Sequence, residues 1–186
     1  IAEKCPNDLG EYVHWGATTQ DIIDTGMMLQ IRDAETVIDE RLAALASILT
    51  EHAITHAATA MPGRTHGQHA QPITFGYKTA VWLDEVRRHQ TRMDEMRPRL
   101  LVGQFGGAVG TLAALGDQGL TVRANLMAKL ELGEPDITWH TARDRLVELV
   151  SVLAMIAGTC GKIAHEIYSL QKTEVQELEE PFPDGK

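Results

Sequence analysis

The sequence predicts an all-α fold, a bundle of long helices, on three observations. Apolar residues recur at three- and four-residue steps through three long stretches, which is the period of an amphipathic helix. Composition leans the same way: aromatic residues are only 5% and hydrophobic residues 44%, with Ala, Leu and Met frequent. No stretch reads as a credible strand, and neither an internal repeat nor a low-complexity segment is found.

In chain order, residues 1–17 form a lead-in, because Pro6, Asn7, Asp8 and Gly10 favour turns. Thr18-Thr19-Gln20-Asp21 then precedes an apolar periodic run, and Thr and Asp are good N-cap residues. The first long helix is expected from there to about Thr59. Its core face is Met27, Ile31, Ala34, Ile38, Leu42, Leu45 and Leu49, with Glu35, Asp39 and Glu40 between them. The segment Gly63-Arg64-Thr65-His66-Gly67-Gln68-His69-Ala70-Gln71-Pro72 should be an irregular connection, with Pro72 in the first turn of the next helix. Phe75, Thr79, Trp82, Val86, Met93 and Met96 mark that helix, and Pro98 should end or kink it.

Gln104-Phe105-Gly106-Gly107-Ala108-Val109-Gly110-Thr111 has a glycine density that allows close backbone approach. It lacks the Gly-Lys-Ser/Thr ending of a P-loop, and no strand precedes it as a dinucleotide fingerprint requires. A shorter helix is expected near residues 117–131. Last comes a heptad-like seam of Leu146, Leu149, Leu153, Ile156, Cys160, Ile163, Ile167 and Leu170. Val147, Val150, Ala154, Ala157 and Ala164 add a second stripe, so this helix should be covered on more than one side, part of the seam between subunits. Glu174, Glu177, Glu179 and Glu180 read as a solvated helix end.

Length and charge bound the function. The 186 residues suffice for one domain with a real core. A net charge of −9 and a pI near 5.3 lack the basic footprint of a nucleic-acid binder. An anion site in such a chain must be a local pocket of donors. Cys5 and Cys160 have no metal-ligand spacing, and Cys160 reads as a small core residue. Two cysteines give no disulfide framework, so a reducing, cytoplasmic setting is the default. Neither a signal peptide nor an uninterrupted apolar stretch of membrane-spanning length is seen, so no membrane partner is expected.

Chemistry concentrates in residues 63–72, where two imidazoles, a hydroxyl, a guanidinium and amides fall within ten residues. A histidine-bearing polar loop held between helices suits acid–base work, although such loops are commonly plain solvated connections. Thr18 and Asp21 also read as simple caps, His14 beside Trp15 as a packed histidine, and His52 and His56 as surface residues. Trp139 and His140 read as markers of the entrance to the last helix. His66 and His69 have no Asp, Glu or Cys at ligand spacing, so no metal site is expected.

Three segments together resemble the fumarase/aspartase superfamily, most closely its adenylosuccinate lyase and 3-carboxy-cis,cis-muconate cycloisomerase branch. They are His14-Trp15-Gly16-Ala17-Thr18-Thr19-Gln20-Asp21-Ile22-Ile23-Asp24-Thr25, the 63–72 segment with Ile73-Thr74-Phe75-Gly76, and the 104–111 glycine segment followed by Arg143-Asp144-Arg145 and Leu170-Gln171-Lys172-Thr173-Glu174. The likeness covers nearly the whole chain, and the order and spacing of the segments carry it.

The resemblance implies that residues 1–186 are a central helical domain, lacking the family's N-terminal domain, signature loop and C-terminal domain. It implies a homotetramer whose active sites are shared between subunits, a small di- or tricarboxylate substrate, and no cofactor. The implied reaction is an anti β-elimination that releases fumarate from a succinyl-type adduct, or its reverse. By that likeness His66 is the general acid, and His14, Thr18, Thr19, Gln20, Thr65, Gln68 and His69 bind or orient substrate. The family's serine base sits on a flexible loop with a Met-Pro-x-Lys-x-Asn core, expected directly after Lys186, so the segment alone is expected to be inactive. Thr65-His66-Gly67 is like the adenylosuccinate lyases, whereas Trp139-His140-Thr141 is like the cycloisomerases. Lactonisation of a tricarboxylic muconate is therefore the alternative reaction, and a non-catalytic helical oligomerisation scaffold the alternative of another class.

Overall fold

A computed structural model describes residues 1–181, so the last five positions of the expected 1–186 domain lie outside the described residues. Four α-helices dominate: α1 (Thr19–Thr55), α2 (Phe75–Leu100), α3 (Gly119–Leu130) and α4 (Asp144–Leu170). Between α1 and α2 lie two strands, β1 (Ala60–Thr65) and β2 (Gln68–Thr74). The chain forms two compact units. One comprises residues 1–38 and 94–149, the other residues 39–93 and 150 onward.

In α1 the buried positions Asp21, Met28, Glu35, Leu42 and Leu49 repeat every seven residues, two turns of a helix. The apolar members were legible as a face, but Met28 rather than Met27 is the residue at 0% exposure. Glu35, expected between face positions, is 2% exposed and lies 3.6 Å from Arg97 Nε. A buried carboxylate requires such a partner. The helix ends at Thr55, short of the expected Thr59.

The expected irregular connection is a β-hairpin, which corrects the reading that the chain has no strand. Thr65 pairs with Gln68, Arg64 with His69, Pro62 with Pro72 and Ala60 with Thr74, and the register slips at Gly63. His66 (φ 51°) and Gly67 (φ 71°) form the two-residue turn. Positive φ at both central positions is the type I′ pattern that matches strand twist. Glycine adopts it freely, and histidine is among the few other residues enriched there. The strand pattern was hidden because β1 and β2 carry proline, glycine and polar residues instead of alternating apolar ones. The prolines are tolerated because both strands of a two-stranded ribbon are edges.

Pro72 therefore lies in β2 and not in a helix. The hydroxyl of Thr74 caps α2 by accepting the Tyr77 N–H at 3.0 Å. Pro98 neither ends nor starts a break, since α2 runs on to Leu100. Its missing N–H falls in the last turn, where one lost bond matters little. The α2 face was read well: Thr79, Trp82, Val86, Met93 and Met96 are all buried.

In the first unit Met28, Met96, Leu100, Met127 and Trp139 form the core, and in the second Leu49, Trp82, Val86, Met93 and Ile163. Each such side chain contributes about 1.5–3 kcal/mol on burial. On α4 Leu149, Ile163 and Leu170 are buried, but Cys160 is exposed rather than a core residue. Val147 and Val150 of the second stripe are 61% and 63% exposed in the single chain. By length and composition α4 is apolar enough to cross a membrane, which the sequence reading passed over because charged residues interrupt it. Three of those charges are paired: Glu148 with Arg99, Lys162 with Glu85, and Glu166 with Lys78. The acidic stretch after residue 170 is not a helix end, because α4 stops at Leu170.

Candidate functional site

The expected site residues fall into two groups, one in each unit. His14, Thr18, Thr19 and Gln20 belong to the first, and Thr65, His66, Gln68 and His69 to the second.

In the first unit the start of α1 is fixed by Asp21, which is 1% exposed. Its Oδ2 accepts the backbone N–H of Thr18 at 2.9 Å and of Gly107 at 2.9 Å. Its Oδ1 accepts the Gly106 N–H at 3.0 Å and faces His140 Nε2 at 2.6 Å. Asp21 is thus the third helical residue satisfying its own N-cap, as the capping reading held, and it also gathers the glycine segment. Gly107 has φ 75°, and a Cβ on it would lie 2.8 Å from the Gly16 carbonyl oxygen. The close approach read from the glycine density is this contact.

One turn on, Asp24 is fully buried. Its Oδ1 accepts from Gln20 Nε2 at 2.8 Å and Arg143 at 2.7 Å. Arg143 also donates to the His140 carbonyl at 2.6 Å. Thr25 and Gln104 exchange two bonds, the hydroxyl donating to the Gln104 carbonyl at 2.7 Å and accepting its N–H at 2.8 Å. Gln20 is therefore held by its side chain and Thr18 by its backbone. Thr19 is exposed at the helix N-terminus, where backbone N–H groups and the helix dipole favour an anion. His14 is exposed with φ 68°, and Trp15 is 57% exposed, so the packed-histidine reading does not hold.

In the second unit Arg64 grips Glu177 with both terminal nitrogens, one bond at 2.9 Å and the second on the other carboxylate oxygen. The bond from Arg64 holds the Glu177 carboxyl below its ordinary range against the opposing effect of burial. His69 Nε2 lies 3.3 Å from the same guanidinium. The hairpin is anchored there, next to the Thr65–Gln68 pair that closes its turn, and Thr65, His66, Gln68 and His69 are exposed. Below it His52 and His56 stack at 5.7 Å, both against Phe75. They line an apolar cavity of about 660 Å³ with Leu49, Met61, Trp82 and Ile167; His52 is exposed, as expected of a surface residue, and His56 is half-buried.

Sequence reasoning missed Asp24, Gln104, His140 and Arg143 as a connected group. Thr18 and Asp21 carried a local cap signal, but partners 79 to 119 residues apart leave none. Trp139, read as a helix-entrance marker, is 3% exposed and donates its indole N–H to the Gly103 carbonyl at 3.0 Å. Among the described residues, no group of three or more His, Cys, Asp or Glu is placed to hold a metal ion.

Comparison with known proteins places this geometry. The profile of a family described as Lyase matches residues 1–186. An N-acetyl-S-(2-succino)cysteine lyase of Dickeya dadantii (strain 3937) is 47% identical, over 100% of this chain and 41% of its own length. An adenylosuccinate lyase of Pyrococcus abyssi is 45% identical, over 98% of this chain and 40% of its own. The crystal structure of 3-carboxy-cis,cis-muconate lactonizing enzyme from Pseudomonas putida is 48% identical, with a TM-score of 0.93 over 98% of this chain and 41% of that one. The chain thus spans about two fifths of the length of the relatives it matches. With a matching profile over its whole length and that likeness in fold, the chain belongs to the lyase family of the fumarase/aspartase superfamily.

Proposed function

We propose that the full-length protein is a lyase that breaks a succinyl-type adduct by anti β-elimination and releases fumarate. A base removes a proton next to a carboxylate, charge builds on that carboxylate as an aci-carboxylate, and an acid protonates the departing nitrogen, oxygen or sulfur. Thr18, Thr19 and Gln20 hold the charged carboxylate, since donors fixed before the reaction stabilise charge at no reorganisation cost. The fixation of Thr18 by Asp21 and of Gln20 by Asp24 supports that role. His14, Thr65, Gln68 and His69 line the substrate. His66 is the general acid, because an imidazole N–H can pass its proton to the departing group.

The observation that carries the reading is the placement of His66 at the exposed apex of a hairpin held just below its turn by the Arg64–Glu177 pair. The base that starts the reaction lies outside residues 1–186. The two groups of residues meet across subunits of a homotetramer. The exposed apolar stripe of α4 supports such an assembly, because long apolar helix faces are otherwise covered.

The test is fumarate release by the full-length protein from S-succinylated cysteine and from adenylosuccinate. Release from either supports the elimination. Lactonisation is the second reading, favoured by the likeness to the lactonizing enzyme, and it predicts cyclisation of carboxymuconate with no fumarate formed. A scaffold predicts neither reaction and no thermal stabilisation by any of the three ligands, because a ligand that binds only the native state must raise its apparent stability.

A further inference from the structure

We infer that His140 is a positioning residue for the proposed elimination, acting through the Asp21 carboxylate on the donors of Thr18, Thr19 and Gln20. The inference rests on the functional reading given above. Its basis is a hydrogen-bond chain that ends on the Asp21 carboxylate. Gln104 Oε1 accepts the Trp139 N–H at 3.0 Å, so the amide nitrogen of Gln104 is the group facing Thr138 Oγ1 at 2.7 Å. The Thr138 hydroxyl, accepting that bond, also faces His140 Nδ1 at 3.2 Å. As a carboxylate Asp21 only accepts, so His140 Nε2 carries a proton and donates it to Oδ1 at 2.6 Å.

Asp21 has no lone pair left. Each oxygen takes two donors, and the side chain is 1% exposed. It cannot serve as a base. It is a fixed post joining the cap of α1 to the glycine segment, and His140 is the only one of its four donors that comes from a side chain. Loss of that donor leaves Oδ1 with the Gly106 N–H alone, and the loosened carboxylate holds the Thr18 N–H on Oδ2 less firmly. Displacement of about 1 Å in positioning groups can cost about a hundredfold in rate.

The test uses the full-length protein, steady-state fumarate release, and the variants His140→Ala, His140→Gln and His140→Asn. The amide nitrogen of glutamine reaches the place of Nε2, whereas that of asparagine reaches only that of Nδ1. The expected result is a fall in kcat at saturating substrate of about 10- to 100-fold for H140A. H140Q should recover most of it and H140N little, with all variants folded by circular dichroism. A role confined to stability would lower the melting temperature and leave kcat of the folded protein unchanged. If H140A does not fold, the Gln and Asn variants carry the comparison. Equal kcat in wild type and H140A, or equal rescue by Gln and Asn, overturns the inference alone. A wild type that releases no fumarate overturns the functional reading and the inference with it.

Discussion

Asp21→Asn is the sharpest perturbation of the fold around the start of α1. The carboxylate takes four donors and is 1% exposed, and asparagine keeps its shape while replacing one oxygen by an NH₂ group. Two orientations of the amide are open. With nitrogen on the Oδ2 side it meets the N–H groups of Thr18 and Gly107, and both lose their acceptor. With nitrogen on the Oδ1 side His140 can change tautomer and accept, so only the Gly106 N–H is orphaned. The second orientation costs less and should be adopted. One orphaned buried donor costs about 1–3 kcal/mol, and bonds weakened by loss of the charge add roughly 1 kcal/mol. The expected destabilisation is about 3 kcal/mol, a large share of a total that is about 5–15 kcal/mol. Asp21→Ala orphans all four donors and should cost about 5 kcal/mol or more. The assay is urea denaturation followed by tryptophan fluorescence, which reports on buried Trp139, and by far-ultraviolet circular dichroism. A D21N midpoint equivalent to less than about 0.5 kcal/mol would refute the hub.

Further tests address other parts of the molecule. Gly107→Ala should cost about 2 kcal/mol or more in the same titration, because φ is 75° and the new Cβ would sit 2.8 Å from the Gly16 oxygen; a neutral variant contradicts the close approach. A double-mutant cycle on Arg64 and Glu177 should give a coupling of about 1 kcal/mol at pH 7, the two side chains being 23% and 19% exposed. The Glu177 pKa is depressed by Arg64, so the coupling should be present above the ordinary value of 4.5 and vanish as pH falls through the lower folded value. Coupling that persists in strong acid excludes the ion pair. His89 is 4% exposed, and burial, with Arg92 and Arg88 beside it and only partly offset by Glu85, pushes its pKa down. The neutral ring lies 2.8 Å from the Thr159 hydroxyl, which donates to Glu85, itself paired with Lys162. Stability should thus be full above 6.5 and decline as pH falls below it, and His89→Gln should flatten the decline between pH 7.5 and 5.5. Parallel curves for the two proteins would exclude His89 as its source.

The helices were legible because each announces itself within a few residues. The face of α2 and the cap of α1 are local patterns, whereas on α4 Leu149, Ile163 and Leu170 of the seam are buried but Val152 and Thr159 are buried where Leu153 and Cys160 were expected. The hairpin was not legible, since its strands hold proline and polar residues and its turn uses His-Gly instead of Asn-Gly. Glu35 was expected between face positions, and nothing local marked Asp24 or His89 as buried, because Arg97, Arg143 and Thr159, which partner them, lie far along the chain. The candidate site divides in the same way. Thr18, Thr19, Gln20 and His66 stand in short polar segments that can be read directly, while His140 and Arg143 gain meaning only when the fold brings them to the start of α1.

The general-acid assignment of His66 is tested most directly by comparing two leaving groups in the full-length protein. A thiolate, with a conjugate-acid pKa of about 8.5, departs with little help, whereas an amine nitrogen must be protonated as it leaves. His66→Ala should therefore lose about a hundredfold or more in fumarate release from a nitrogen-linked succinyl adduct and distinctly less from a sulfur-linked one. An unchanged rate with the nitrogen-linked adduct, or an equal loss with both, would contradict the account.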